Sequence, residues 1–122
     1  MAGSRERDVA EDLRRYFASR LPARVAEIEA AGDAARGAGW AEEPLRAFHR
    51  AAHSLAGTGA TFGFPEVSAV ARRLENLLKA ALGAGSPPES AEVADLLSRL
   101  RGLAGSETPP SSPGSGDEGE GG

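Results

Sequence analysis

The 122-residue chain contains no cysteine, which excludes a disulfide framework and any thiolate metal site and fits a reducing compartment. No uninterrupted apolar run comes near the ~18 residues of a spanning helix. The opening residues, MAGSRERD, also lack the apolar stretch of a secretory signal. Strand patterns are missing, so a parallel sheet has no support. There is no glycine-rich phosphate loop, no Walker-type lysine motif and no acidic cluster suited to Mg²⁺. A cationic excess is missing as well. The formal net charge is −4, and all fourteen basic residues lie at or before Arg101. Four of the eighteen acids, Glu107, Asp117, Glu118 and Glu120, lie beyond it, which leaves fourteen charges of each sign in the rest. Without a basic stripe, nucleic acid is not an expected partner. The expectation is one soluble cytoplasmic domain, monomeric and off the membrane, and the initiator methionine fits a protein that stands alone.

What the chain does have is apolar residues at helical spacing. From Arg5 to Arg20 they are Val9, Leu13, Tyr16 and Phe17. Proline lacks an N–H and suits a first helical turn, so Pro22 is expected to open a second segment carrying Val25 and Ile28 to about Arg36. Gly37, Gly39 and Trp40 form a connection, with Trp40 a lid on the bundle end rather than a ligand platform. Glu42 and Glu43 before Pro44 make an acidic helix start, and this helix runs to about Phe62, with Gly63 ending it. Pro65 begins the next, whose stripe is Val67, Val70, Leu74, Leu77, Leu78 and Ala81. Ser68, Arg72, Glu75 and Lys79 line its opposite face. Ser86 can cap a last helix opened by Pro87 or Pro88, with Val93, Leu96, Leu97, Leu100 and Leu103 turned inward. The predicted fold is all-α, an antiparallel four-helix bundle with an extra N-terminal helical segment, over residues 1–104. Residues 105–122 form an acidic Gly/Ser/Pro-rich tail with no apolar side chain to bury, predicted to be disordered.

The bundle is organised around the stretch AAHSLAGTGATFGF, from Ala51 to Phe64. At about 100° per residue, Phe48, Ala52, Leu55, Gly59 and Phe62 share one face. Arg46, His49, Arg50, His53, Gly57 and Ala60 share the other. His53 is thereby predicted to stand in water beside small neighbours, Ala56, Gly57 and Ala60. Gly57 costs roughly 1 kcal/mol of helix stability relative to alanine, which suggests a use for its missing side chain as part of a docking surface. If the turn to the next helix is centred near residue 64, positions summing to about 128 lie level, each roughly 16 Å from the turn for the pair His53 and Glu75 at ~1.5 Å per residue. His49 is then level with Lys79, and Ala56 with Arg72. A carboxylate accepting from Nδ1–H fixes the tautomer and leaves Nε2 as the nucleophilic lone pair.

His53, Leu55, Gly57 and Gly63, followed by Leu74 and Glu75 with Leu77 and Leu78, resemble the phosphorylation motif of histidine-containing phosphotransfer (HPt) domains. The resemblance covers roughly residues 5 to 103 and is strongest from 48 to 78. It implies a carrier rather than an enzyme, phosphorylated on His53, with Glu75 as the orienter. The partners it implies are a response-regulator receiver domain, which brings its own aspartate and Mg²⁺, and a sensor or hybrid histidine kinase. No cofactor of the chain's own is expected. Docking would use Gly57, Ala60 and His53, flanked by Arg46, His49, Arg50 and Ala56. The family often carries a lysine three residues after the histidine, where this chain has Ala56. Arg72, level with Ala56, is the side chain expected to replace that charge at the phosphoryl group.

Blander readings stand beside these. His49 and His53 have the i, i+4 spacing of helical zinc ligands, but no HExxH glutamate or third ligand accompanies them. Arg46 and Arg50 also read as a solvated face, and Glu75 as a salt-bridge partner of Arg72 or Lys79. A non-phosphorylated adaptor that binds a receiver or kinase through the same face is the alternative function, kept open by Ala56.

Overall fold

A computed structural model describes residues 2–107, with side chains from 9 to 105. Four helices follow in order, α1 (Ala2–Gly37), α2 (Glu42–Thr61), α3 (Pro65–Ala84) and α4 (Ser90–Glu107). Each packs on its chain neighbours and α4 closes back onto α1, the up-down-up-down arrangement that short connections impose. The core is one cluster fed by all four helices, with Phe48, Leu21, Leu55, Leu74, Leu78 and Leu100 fully enclosed. Among the described residues no helix is long and apolar enough to cross a membrane. α4 continues through Glu107, so residues 105–107, expected in the tail, are helical; from residue 108 onward the expected tail lies outside the described residues.

The extra N-terminal segment is not there. α1 is a single helix of 36 residues with Pro22 inside it. Pro22 removes one backbone donor and crowds the preceding turn, a cost of roughly 3 kcal/mol in a helix interior. Against it stands a stripe, Phe17, Leu21, Val25 and Ile28, that keeps its phase across residue 22 and is buried throughout. Breaking the helix would turn half of that stripe away from the core. Upstream the opposite correction applies. Val9, Leu13 and Tyr16 have the expected spacing, yet each is about half exposed or more. Phe17 stacks on Phe62 at 5.3 Å and touches Phe64 at 5.1 Å, which sets the end of α2 level with Phe17. Earlier turns of α1 therefore have no α2 opposite them.

α2 and α3 form the tightest pair, and Gly59 is the reason. A Cβ there would meet Ser68 N at 3.2 Å and Phe64 O at 3.5 Å, so the missing side chain lets the α3 backbone come close. Ser68, expected on the outer face, is consequently buried, and its hydroxyl donates to Ala56 O at 2.8 Å. The turn between the helices passes through Gly63 at φ +85°, which a side chain rarely tolerates. Trp40 does sit at the far end of the bundle, packed on the core and walling a recess with Leu45, Leu82 and Pro87. α4 starts at Ser90, later than the proline-led start expected, because Val93 N bonds Glu89 O and Pro87 and Pro88 stay in the connection.

Candidate functional site

α2 carries its acidic first turn, Glu42 and Glu43, at the end where backbone N–H groups are unpaired. Its apolar face, Leu45, Phe48, Ala52, Leu55 and Gly59, is buried. That burial rotates His49 and His53 toward the shoulder where α2 meets α3. α3 is set by its own buried stripe, Val67, Ala71, Leu74 and Leu78, and presents Glu75 to the same shoulder. The two helices thus bring three titratable groups together by packing their opposite faces.

The geometry is specific. His53 Nδ1 lies 2.6 Å from Glu75 Oε2. The His53 side chain is 69% exposed, whereas that of Glu75 is 13% exposed. A mostly buried carboxylate therefore holds one nitrogen of an imidazole whose body stands in solvent. The ring can donate from Nδ1 and keep its other nitrogen as a lone pair. A cavity of about 500 Å³ opens beside them, walled by Arg46, His49, Arg50, His53, Glu75 and Lys79.

His49 was expected as a flanking residue. It sits one turn before His53 with the two rings 6.4 Å apart and 15° from parallel, and its Nε2 is 4.0 Å from Glu75 Oε2. Burial pushes the His49 imidazole below the usual histidine range; Glu75 pulls the other way, and His53, Lys79 and Arg50 add to the lowering. Arg46 bonds back to Glu42 at 3.1 Å, and that bond raises its already high pKa. Lys79 is the cavity residue that sequence reasoning placed level with His49 without assigning it to the site. Its signal was that same level pairing.

Two other members of the expected site are elsewhere. Ala56 is 1% exposed and offers nothing to a partner, because the close approach of α3 at Gly59 covers that side of α2. Arg72 is exposed but lines a different groove, of about 720 Å³, with Ala60, Gly63, Pro65, Ser68 and Asn76. Neither wall of that groove includes His53. Gly57 and Ala60 are exposed, and a Cβ on Gly57 would meet nothing within 4 Å, so the surface beside His53 is flat and open. Among the described residues no group of three or more His, Cys, Asp or Glu side chains is arranged to hold a metal ion.

Comparison with known families matches residues 12–103 to the Hpt domain. No curated protein and no solved structure matches the chain.

Proposed function

Because the chain belongs to the Hpt domain family, phosphocarriers of phosphorelay signalling with no catalytic ATP site of their own, we propose that His53 is the residue that carries the phosphoryl group. The observation that supports this reading is the pairing of His53 Nδ1 with Glu75 at 2.6 Å on a ring that is 69% exposed. Hpt domains work with receiver domains and kinases; the phosphoryl donor and acceptor in this reading is the aspartate of a receiver domain.

In the accepting direction, the Nε2 lone pair attacks phosphorus of the receiver's aspartyl phosphate. The Nε2–P bond forms as the P–O bond to the aspartate breaks, and the aspartate leaves as a carboxylate. Nδ1 keeps its proton throughout, so the ring becomes a phosphoimidazolium. Glu75 offsets that positive charge, which is partial in the transition state and complete in the phosphoimidazolium, so the carboxylate favours both over the neutral ring. Donation runs the same steps backward. Phosphoryl transfer also needs positive charge around the equatorial oxygens. Arg46, Arg50 and Lys79 on the cavity wall supply a cationic rim here, in place of Arg72, while Mg²⁺ belongs to the receiver. Gly57 and Ala60 admit the partner's approach.

The test is transfer from a panel of phosphorylated receiver domains to the parent chain and to His53→Gln. An acid-labile, base-stable label on the parent and none on the variant is the expected result. Label retained by His53→Gln overturns the assignment of this histidine. Binding without label in the parent means the chain works as an adaptor.

A further inference from the structure

We propose that His49 is a positioning residue for the same site: its Nε2–H holds the Glu75 carboxylate, which in turn holds His53. This rests on the reading of His53 as the phosphoryl carrier. Among the described residues, two buried side-chain polar atoms lack a hydrogen-bond partner, and they are His49 Nε2 and Glu75 Oε1. They belong to side chains already in register across the α2–α3 shoulder, with His49 Nε2 4.0 Å from Glu75 Oε2. An N–H···O bond forms at about 2.9 Å. That 4.0 Å runs to Oε2, the oxygen His53 already engages; the terminal torsion of glutamate is broad, so rotation of the carboxylate turns the unpaired Oε1 toward His49 without moving either helix.

The chemistry of the two groups fits. A carboxylate accepts through both oxygens, so Oε2 can take the proton-bearing nitrogen of His53 while Oε1 takes that of His49. A neutral imidazole has one N–H to give, and here it is wanted at Nε2. Burial keeps His49 neutral under conditions where an exposed histidine begins to charge. The groups facing it are Glu75 and Lys79 from α3 and Arg50 and His53 from α2, so Glu75 is the acceptor within reach. The two imidazole rings lie 6.4 Å apart, centre to centre, and 15° from parallel, with Glu75 Oε2 within 4.0 Å of a nitrogen of each.

The consequence is a His–Glu–His arrangement in which only the outer histidine reacts. With two donors on it, Glu75 cannot swing toward Lys79 or rotate out of the plane of the His53 ring. His53 then keeps its proton on Nδ1 and presents Nε2. Remove the inner donor and the carboxylate gains freedom, so His53 samples the tautomer with its proton on Nε2 and spends less time nucleophilic.

The experiment is ¹⁵N nuclear magnetic resonance of histidine-labelled protein at about pH 8.5, where an ordinary imidazole is neutral. In the parent, His49 should carry its proton on Nε2 and His53 on Nδ1. His49→Phe should bring the His53 tautomers toward equal populations and slow transfer from a receiver domain about 3- to 10-fold. His49→Gln, which restores an N–H at a similar reach, should recover both. A parent in which His49 bears its proton on Nδ1 overturns the proposal without any variant. So does His49→Phe with parental His53 tautomers. The tautomer readout uses no phosphate, so it separates failure here from failure of the carrier reading, which appears as label on His53→Gln.

Discussion

The α2–α3 hairpin and the first turns of α1 start from the same kind of pattern and end in opposite states. Both carry apolar residues at helical spacing. In the hairpin Phe48, Leu55, Leu74 and Leu78 are fully buried, whereas Val9, Leu13 and Tyr16 of α1 remain about half exposed or more. The difference is the surface opposite. The hairpin's two stripes face each other across a short turn and come within backbone contact at Gly59. Val9 and Leu13 of α1 lie beyond the end of α2, and among the described residues no stripe covers them. Spacing makes a helix face possible; burial requires a second face at the same height. The candidate site follows the same rule, since His53 and Glu75 meet only because each is opposite a buried stripe.

That comparison can be broken most strongly at Phe48, whose ring lies against Gly32 of α1. Phe48→Ala should cost about 3–5 kcal/mol, read as a fall in the urea midpoint, and an unchanged midpoint would mean the hairpin does not anchor the core. Gly59→Val pushes a side chain into the α3 backbone and should destabilise by about 1–3 kcal/mol, with helix propensity alone acting in the opposite direction. A more stable variant would show that α3 has room to retreat.

A smaller effect is the pH dependence owed to His49. Burial depresses its pKa in the folded chain, so the unfolded chain takes up the proton first as pH falls. The stability this represents is complete above the unfolded value of 6.5 and declines as pH drops from there through the folded value. Melting temperature measured from about pH 7.5 to about 5.5 should therefore fall further for the parent than for His49→Phe; parallel curves would remove His49 as the cause. Smallest of all, Leu13→Ser should change stability by no more than about 0.5 kcal/mol. A larger loss in the same urea assay would mean that the first turns of α1 are covered after all.

Much of this was legible in the residues. The large apolar members of the buried faces, Phe48, Leu55, Val67, Leu74 and Leu78, the breaks at Gly63 and Gly37, and the proline start of α3 all follow from periodicity and backbone chemistry. The level pairing of His53 with Glu75 followed from counting outward from one turn, because a straight helix advances by a constant rise. Pro22 is misleading taken alone, because its missing donor is a local effect, whereas Phe17, Leu21, Val25 and Ile28 stay in phase across it and are buried together. Ala56 misled for another reason. Its angle on the helix wheel lies near the boundary of the buried face, and where that boundary falls depends on how near the next helix stands.

By itself, then, the sequence determined the helices, their order, and the height at which a histidine meets a glutamate, because these depend on local torsions and a fixed rise per residue. Tertiary structure alone decided which boundary residues are covered, that α1 persists through Pro22, that Arg72 serves a separate groove, and that His49 and Glu75 face each other with one unpaired atom each. Those outcomes turn on distances between helices, set by how closely side chains such as the absent one at Gly59 let two backbones approach.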